Sequence, residues 1–232
     1  MTRHFGVLIP STNTTCEIEY GRLLPPNLQV HVARLGKGGN TPFSPSLDAD
    51  LTYQSKMLGD ARVEAIALAQ TSASLFDDDY CEKATAIMSA GAKAPAVTSA
   101  QAIGQAVRAL GATRIAIATP YSPDALARAK RYYETKYGLE VVAMEGFDAN
   151  DSYAIGKMGP ENARDAFRRI DSAAVEVLVV PGGNFPTMPS IAGWEQEFGK
   201  PVITTNQAAL WAVMRLMQME GGVAGYGRLL AG

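Results

Sequence analysis

A short string is written twice in this chain: PAVTSAQA at Pro95 to Ala102 returns as PVITTNQA at Pro201 to Ala208. In each copy an apolar β-branched run stops at small hydroxyl residues. A Gln-Ala pair then opens an amphipathic stretch, AIGQAVRAL after Gln101 and ALWAVMRLM after Gln207. That pattern reads as strand, loop, helix, twice. Two more pairs follow in the same order. GVLIP ending in Ser11, Thr12 and Asn13 matches IAIATP ending in Tyr121 and Ser122, and VEAIALA ending in Gln70, Thr71 and Ser72 matches VEVLVVP ending in Gly182, Gly183 and Asn184. A chain duplicated in this way is expected to fold as two like halves.

With 232 residues and 47% hydrophobic content, the chain can bury one substantial core or two small ones. Its net charge of −2 is spread without a basic run, which removes the electrostatic basis for a nucleic-acid or anionic-membrane partner and leaves small ligands open. No apolar run reaches the roughly twenty residues of a bilayer span. The segment MTRHFGVLIP meets PSTN before the apolar part of a signal peptide could finish, so a cytoplasmic location is expected. Cys16 and Cys81 fit neither a disulfide scaffold nor zinc-ligand spacing.

Strands are predicted at Phe5 to Pro10, Val30 to Arg34, Val63 to Ala69, Ala96 to Thr98, Arg114 to Thr119, Glu140 to Glu145, Val175 to Val180 and Val202 to Thr204. Helical patterns lie between them at Glu17 to Leu24, Asp48 to Arg62, Asp79 to Ala90, Gln101 to Leu110, Asp124 to Tyr137, Pro160 to Ile170, Ile191 to Phe198 and Gln207 to Met219. Short apolar strands alternating with helices imply an α/β fold of two pseudo-symmetric αβα domains, each with a four-stranded parallel sheet. The expected division is 1–110 for the first half and 111–206 for the second, with the segment 207–232 packing back on the first.

Ligands of open parallel sheets sit outside the carboxyl ends of the strands. That rule selects Pro10 to Thr15, Gln70 to Ser74, Thr98 to Gln101, Thr119 to Ser122, Pro181 to Phe185 and Thr204 to Gln207, all rich in Ser, Thr, Asn and Gln. Each loop on its own reads equally as a helix cap. Six at one edge also read as a cradle for carboxylate oxygens, because helix N-termini favour an anion. The turn-rich segment Gly36 to Pro45 is either a surface loop or a lid over that edge.

The strings PSTNTTCE, DARVEAIALAQTSAS, TPYSP, PGGNFPTMPSI and PVITTNQAALW resemble the maleate cis-trans isomerase and arylmalonate decarboxylase group of the aspartate/glutamate racemase superfamily, over nearly the whole chain. The resemblance implies an active site between two αβα domains, a homodimer, and work on a small carboxylic acid without metal or organic cofactor. It also implies that Asn13, Thr71, Ser72, Tyr121 and Gly183 grip the substrate carboxylate, with Ser122 and Gly182 beside them. Members of that superfamily place a cysteine at a matching strand end in each half, and here those positions hold Gln70 and Gly182. Neither can act as a nucleophile or proton-transfer acid.

The replacement acid or base has several candidates. Cys16, at the start of a helix, would have its thiol pKa lowered there, or else it packs inertly against the sheet. Cys81 follows the acidic run Asp77 to Asp79, which disfavours a thiolate. His4 and His31 fall at or before strands rather than after strand ends. Tyr121 can donate a phenolic proton or merely orient a carboxylate. The carboxylates Asp77 to Asp79 and Asp148 to Asp151 read as helix-starting or solvated groups, with Asn150 and Ser152 near a further polar contact that the resemblance implies. The expected function is an enzyme that stabilises an enediolate of a small acid, a decarboxylase or other lyase, or an isomerase. A hydrolase or hydratase using Gln70 or Asn184 to position water, and a non-catalytic carboxylate-binding protein, stand as alternatives.

Overall fold

The computed structural model describes residues 2–38, 45–149 and 151–231. Two four-stranded sheets carry the fold. The first consists of β1 (Arg3–Pro10), β2 (Leu28–Leu35), β3 (Ile66–Leu68) and β4 (Ala96–Thr98), in the order β2-β1-β3-β4. The second consists of β5 (Arg114–Thr119), β6 (Glu140–Gly146), β7 (Val177–Val180) and β8 (Val202–Thr204), in the matching order β6-β5-β7-β8. Every pairing is parallel, as strands joined by helical crossovers require. The duplication in the sequence is thus a duplication of topology.

Side chains alternate faces along each strand, and the first sheet shows the consequence. Phe5, Val7 and Ile9 of β1 join the core shared with the second half, whereas Leu8 points into a separate core. That separate core is closed by Leu51 and Leu58 of α2 (Asp48–Asp60) and by Tyr80, Ala84 and Met88 of α3 (Tyr80–Ala92). The shared core runs through α1 (Cys16–Leu23), α4 (Ser99–Ala109), α5 (Pro123–Tyr137), α7 (Pro160–Ile170), α8 (Ile191–Phe198) and α9 (Thr205–Leu216) into the second sheet. Helix α9 lies against α4, β3 and β4, and α4 in turn against β8. Each helix that follows a fourth strand therefore touches the opposite sheet.

Helix starts are set by side chains that satisfy otherwise unpaired N–H groups. Thr98 and Gln101 form a reciprocal capping box on α4: Gln101 N donates to Thr98 Oγ1 at 3.2 Å and Thr98 N to Gln101 Oε1 at 3.0 Å. Gln207 Oε1 accepts from Thr204 N at 3.1 Å at the equivalent place on α9. These caps start α4 and α9 two residues earlier than the apolar period alone predicts. The apolar period also misses α6 (Ser152–Gly156), α10 (Arg228–Ala231) and two 3-10 turns, Thr71–Leu75 and Met188–Ser190, all too short to show a repeat.

Candidate active site

The carboxyl ends of the two sheets enclose a cavity of about 60 Å³, the scale of a small acid. Its wall draws on matching loops of both halves: Pro10 to Asn13 and Gln70 to Ser72 from the first, and Tyr121 and Gly182 to Asn184 from the second. The ends of β2 and β6 complete it with Leu35, Lys37 and Ser46 on one side and Ser152 and Ile155 on the other. Sheet register shows which positions correspond. Leu68 pairs with Thr98, and Val180 with Thr204. Gln70 and Gly182 each lie two residues past those partners, so they occupy equivalent strand ends.

The loops after β4 and β8 do not border the cavity; they support it from behind. Thr71 Oγ1 lies 2.8 Å from Ser99 Oγ and 3.2 Å from Thr205 Oγ1. Thr205 Oγ1 also accepts from Gly182 N at 2.8 Å. Tyr121 hydrogen-bonds Thr71, and burial pushes its phenol pKa well above the ordinary value. Gln70 is 6% exposed and its Oε1 accepts from Ser46 Oγ at 2.7 Å. Ser72 borders the same space.

Two amides predicted to act on substrate also stitch the halves together. Asn13 Oδ1 accepts from Thr15 N at 3.0 Å and Cys16 N at 2.9 Å, while its Nδ2 donates to Gly183 O at 3.1 Å. Asn184 Oδ1 accepts from Thr14 N at 2.7 Å, its Nδ2 donates to Ser152 O, and its carbonyl accepts from Thr15 Oγ1 at 2.7 Å. Arg34 supports the same corner by donating to Ser11 O at 3.1 Å and Asn13 O at 2.8 Å.

Gly182 is the only residue type its position accepts comfortably. Its φ is +135°, and a Cβ there would stand 3.0 Å from Pro120 Cγ. A side chain of any kind, a thiol included, meets backbone strain and a tight contact with Pro120 in this geometry.

One expectation is corrected, and apart from Tyr121 the described candidate acids and bases lie outside the cavity. Ser122 does not border the cavity; it caps α5, its hydroxyl accepting from Ala125 N at 3.4 Å. Cys16 does not carry a lowered pKa. It is fully buried, and desolvation together with Glu19 and Glu17 pushes its thiol well up, outweighing the helix terminus. Cys81 is buried with Sγ 3.2 Å from both Thr98 Oγ1 and Tyr132 OH. His4 Nδ1 and His31 Nε2 sit 3.0 Å apart at the opposite end of β1, about 20 Å along the strand from the cavity. Asp77 pairs with Lys83 and Asp78 with Arg131 on the surface, and Asp151 caps α6. Asn150 and residues 39–44 of the Gly36 to Pro45 segment lie outside the described residues. What is described of that segment is a ladder: Lys37 bridges Ser46 antiparallel, and Gly38 N donates to Pro45 O at 2.8 Å. Directly opposed residues share a face, so Lys37 and Ser46 arrive together.

Sequence reasoning did not assign Lys37 and Ser46 to the wall. The six loops that the strand-end rule selects do not include the turn after β2, and nothing local marks which of its residues turn inward. Among the described wall residues there is no thiol, carboxylate or imidazole, and Lys37 carries their one formal charge.

Fold and site together define a duplicated α/β protein whose two sheet ends close on a cavity walled mainly by neutral donors. The profile of the arylmalonate decarboxylase family matches residues 46–230. A maleate isomerase of Pseudomonas putida is 28% identical, over 98% of this chain and 96% of that protein. Among solved structures, a Pseudomonas putida maleate isomerase variant with maleate superposes with a TM-score of 0.90 at 26% identity, covering 100% of this chain and 98% of the other. A Nocardia farcinica maleate cis-trans isomerase mutant with a covalently bound succinylcysteine intermediate gives 0.85 at 25% identity, covering 100% and 99%. The chain belongs to the arylmalonate decarboxylase family, and with it to a group of enzymes that includes isomerases and lyases.

Proposed function

We propose that the protein is a thiol-independent, cofactor-free enzyme that breaks a bond alpha to the carboxylate of a small acid, most simply by decarboxylation. The observation that carries this reading is the wall itself: hydroxyl, amide and backbone donors converge there without a thiol among the described residues. A succinylcysteine intermediate needs a cysteine at the substrate, and both cysteines of this chain are buried away from the cavity.

In decarboxylation the bond between the alpha carbon and one carboxylate breaks, CO2 departs, and the electron pair passes into the remaining carboxylate as an enediolate. No base is required for that step. Thr71, Ser72, Tyr121 and the Gly183 N–H surround the developing oxyanion. Preorganised donors of this kind stabilise such charge by about 3–4 kcal/mol each in a site that excludes water. Asn13 and Asn184 hold the two halves of the grip in register, and Gln70 supplies a neutral amide at the strand end. A proton from Tyr121 or from water then quenches the alpha carbon, and solvent reprotonates Tyr121 if it was the donor. Lys37 sits on the wall as the countercharge for a second anionic group.

By the same kinship the enzyme acts as a homodimer in the cytoplasm, which equilibrium sedimentation and fractionation of cells test. No helix among the described residues is long and apolar enough to cross a membrane. The functional test is incubation with malonate-type and maleate-type acids followed by NMR. Release of CO2 with appearance of the monoacid supports the reading, and absence of turnover on all of them refutes it.

A further inference from the structure

Helix α1 carries a buried carboxylate that no step above uses. Glu19 is 5% exposed, and all of its hydrogen-bond donors come from the second half of the chain. Its Oε1 accepts from Thr187 N at 2.7 Å and Met188 N at 2.9 Å, and its Oε2 from Asn206 Nδ2 at 2.6 Å. Burial holds the Glu19 pKa above its ordinary value, and these three bonds oppose that rise.

Asn206 passes the contact on. Its Nδ2 also donates to Gly183 O at 3.1 Å, beside the equal bond from Asn13. The preceding peptide units are held as well: Gly182 N donates to Thr205 Oγ1 at 2.8 Å, and Gly182 O accepts from Phe185 N at 3.0 Å. A trans peptide points its carbonyl and its N–H in opposite directions. With Gly182 O turned into the loop, the Gly183 N–H is turned outward, where Gly182 and Gly183 border the cavity.

We propose that Glu19 is a positioning residue of this site: with Gly183 O it sets the orientation of the Asn206 amide, and that amide holds the Gly183 carbonyl, in the peptide unit next to the Gly183 N–H at the cavity. The inference rests on the proposed function for its catalytic readout. Asn206 is 1% exposed and its Oδ1 has no partner among the described residues, so the two acceptors its NH2 faces, Glu19 Oε2 and Gly183 O, dictate which way the amide turns. Turning Oδ1 toward Glu19 would set acceptor against acceptor and withdraw the N–H from Gly183 O. A glutamine at position 19 removes the share of that selection that Glu19 supplies, because its own NH2 welcomes the turned amide and competes with Gly183 O.

The test uses Glu19→Gln and Asn206→Ala, singly and together, in the full chain. Amide NMR comes first and needs no substrate. Both single variants are expected to shift the Gly183 and Asn184 signals and to speed their hydrogen exchange by about tenfold. On an acid that the unaltered enzyme turns over, kcat is expected to fall about 10- to 100-fold with KM within about threefold. The double variant should be no slower than the slower single one, as groups acting in one chain require. Unmoved Gly183 and Asn184 signals overturn the proposal, and so do kcat losses that multiply in the double variant. Should Glu19→Gln fail to fold, Asn206→Ala reads the same link from its other end, and unmoved signals there overturn it equally. If the unaltered enzyme turns over no acid, the proposed function falls while the amide signals still decide the positioning role.

Discussion

Removing one oxygen from Tyr121 separates the two things its phenol can do. Tyr121→Phe keeps the ring, which is 2% exposed, and deletes the hydroxyl that bonds Thr71. Thr71 Oγ1 still has Ser99 and Thr205 within reach, at 2.8 and 3.2 Å. Loss of the Thr71 bond therefore leaves Thr71 partnered, and costs about 1 kcal/mol. The catalytic cost is larger if the phenol faces the enediolate, because a preorganised donor acts only as charge develops. A loss of about 10²- to 10³-fold in kcat is expected, with KM little changed. Burial raises the Tyr121 pKa, so the phenol stays protonated through neutral pH, and the Tyr121-dependent part of the rate should be flat to about pH 9. The assay is steady-state turnover of the accepted acid by both proteins across pH 6 to about 9, with urea unfolding alongside. A variant whose kcat stays within about threefold of the parent while KM rises would refute the reasoning and leave Tyr121 as a ground-state carboxylate holder.

Three further outcomes are expected. Gly182→Ala should lower stability by about 1–3 kcal/mol in urea unfolding, from the +135° φ and the 3.0 Å approach to Pro120; an unchanged midpoint would show that this loop relaxes freely. Tyr20, Tyr121 and Tyr133 are fully buried or nearly so, and burial raises the pKa of each. Their contribution is whole below the unfolded value near pH 10 and is lost as pH rises above it, at about 1.4 kcal/mol per pH unit for each. Urea midpoints that stay level from pH 9 to about 11.5 would contradict this. Lys37→Gln should weaken calorimetric binding of a dianionic acid about two- to fivefold and leave its monoester unaffected, since the ammonium is exposed to solvent; equal weakening of both would remove Lys37 as the countercharge.

All eight strands were legible because short apolar β-branched runs have few other uses in a chain of this length. All but β3 lie within two residues of their predicted bounds, and β3, whose start falls three residues later than predicted, ends within one. The strand ends are what locate the cavity, so Gln70, Thr71, Ser72, Tyr121, Gly182 and Gly183 could be placed on its wall before any coordinates. What stayed hidden depended on contacts across the duplication. Ser122 lies in a strand-end loop, which is why it reads as a site residue, but the local cap geometry sends its hydroxyl to Ala125. Asn13 and Asn184 spend amide groups on one another's loops, a pairing about 170 residues apart in sequence that no local pattern reveals. The sequence leaves Cys16 open between a helix-terminus thiol and an inert buried one, and the depth at which α1 is buried decides for the second. Glu19 did leave a signal. It lies three residues after Cys16 and one before Tyr20, on the apolar stripe of α1, where a charged side chain must find partners.

Thiol-independence is tested most directly by turnover of the accepted acid by the Cys16→Ala/Cys81→Ala double variant, with folding checked by circular dichroism. Neither sulfur borders the cavity, so kcat within about threefold of the parent enzyme is expected. A folded, cysteine-free protein that has lost turnover would place a thiol in the reaction after all.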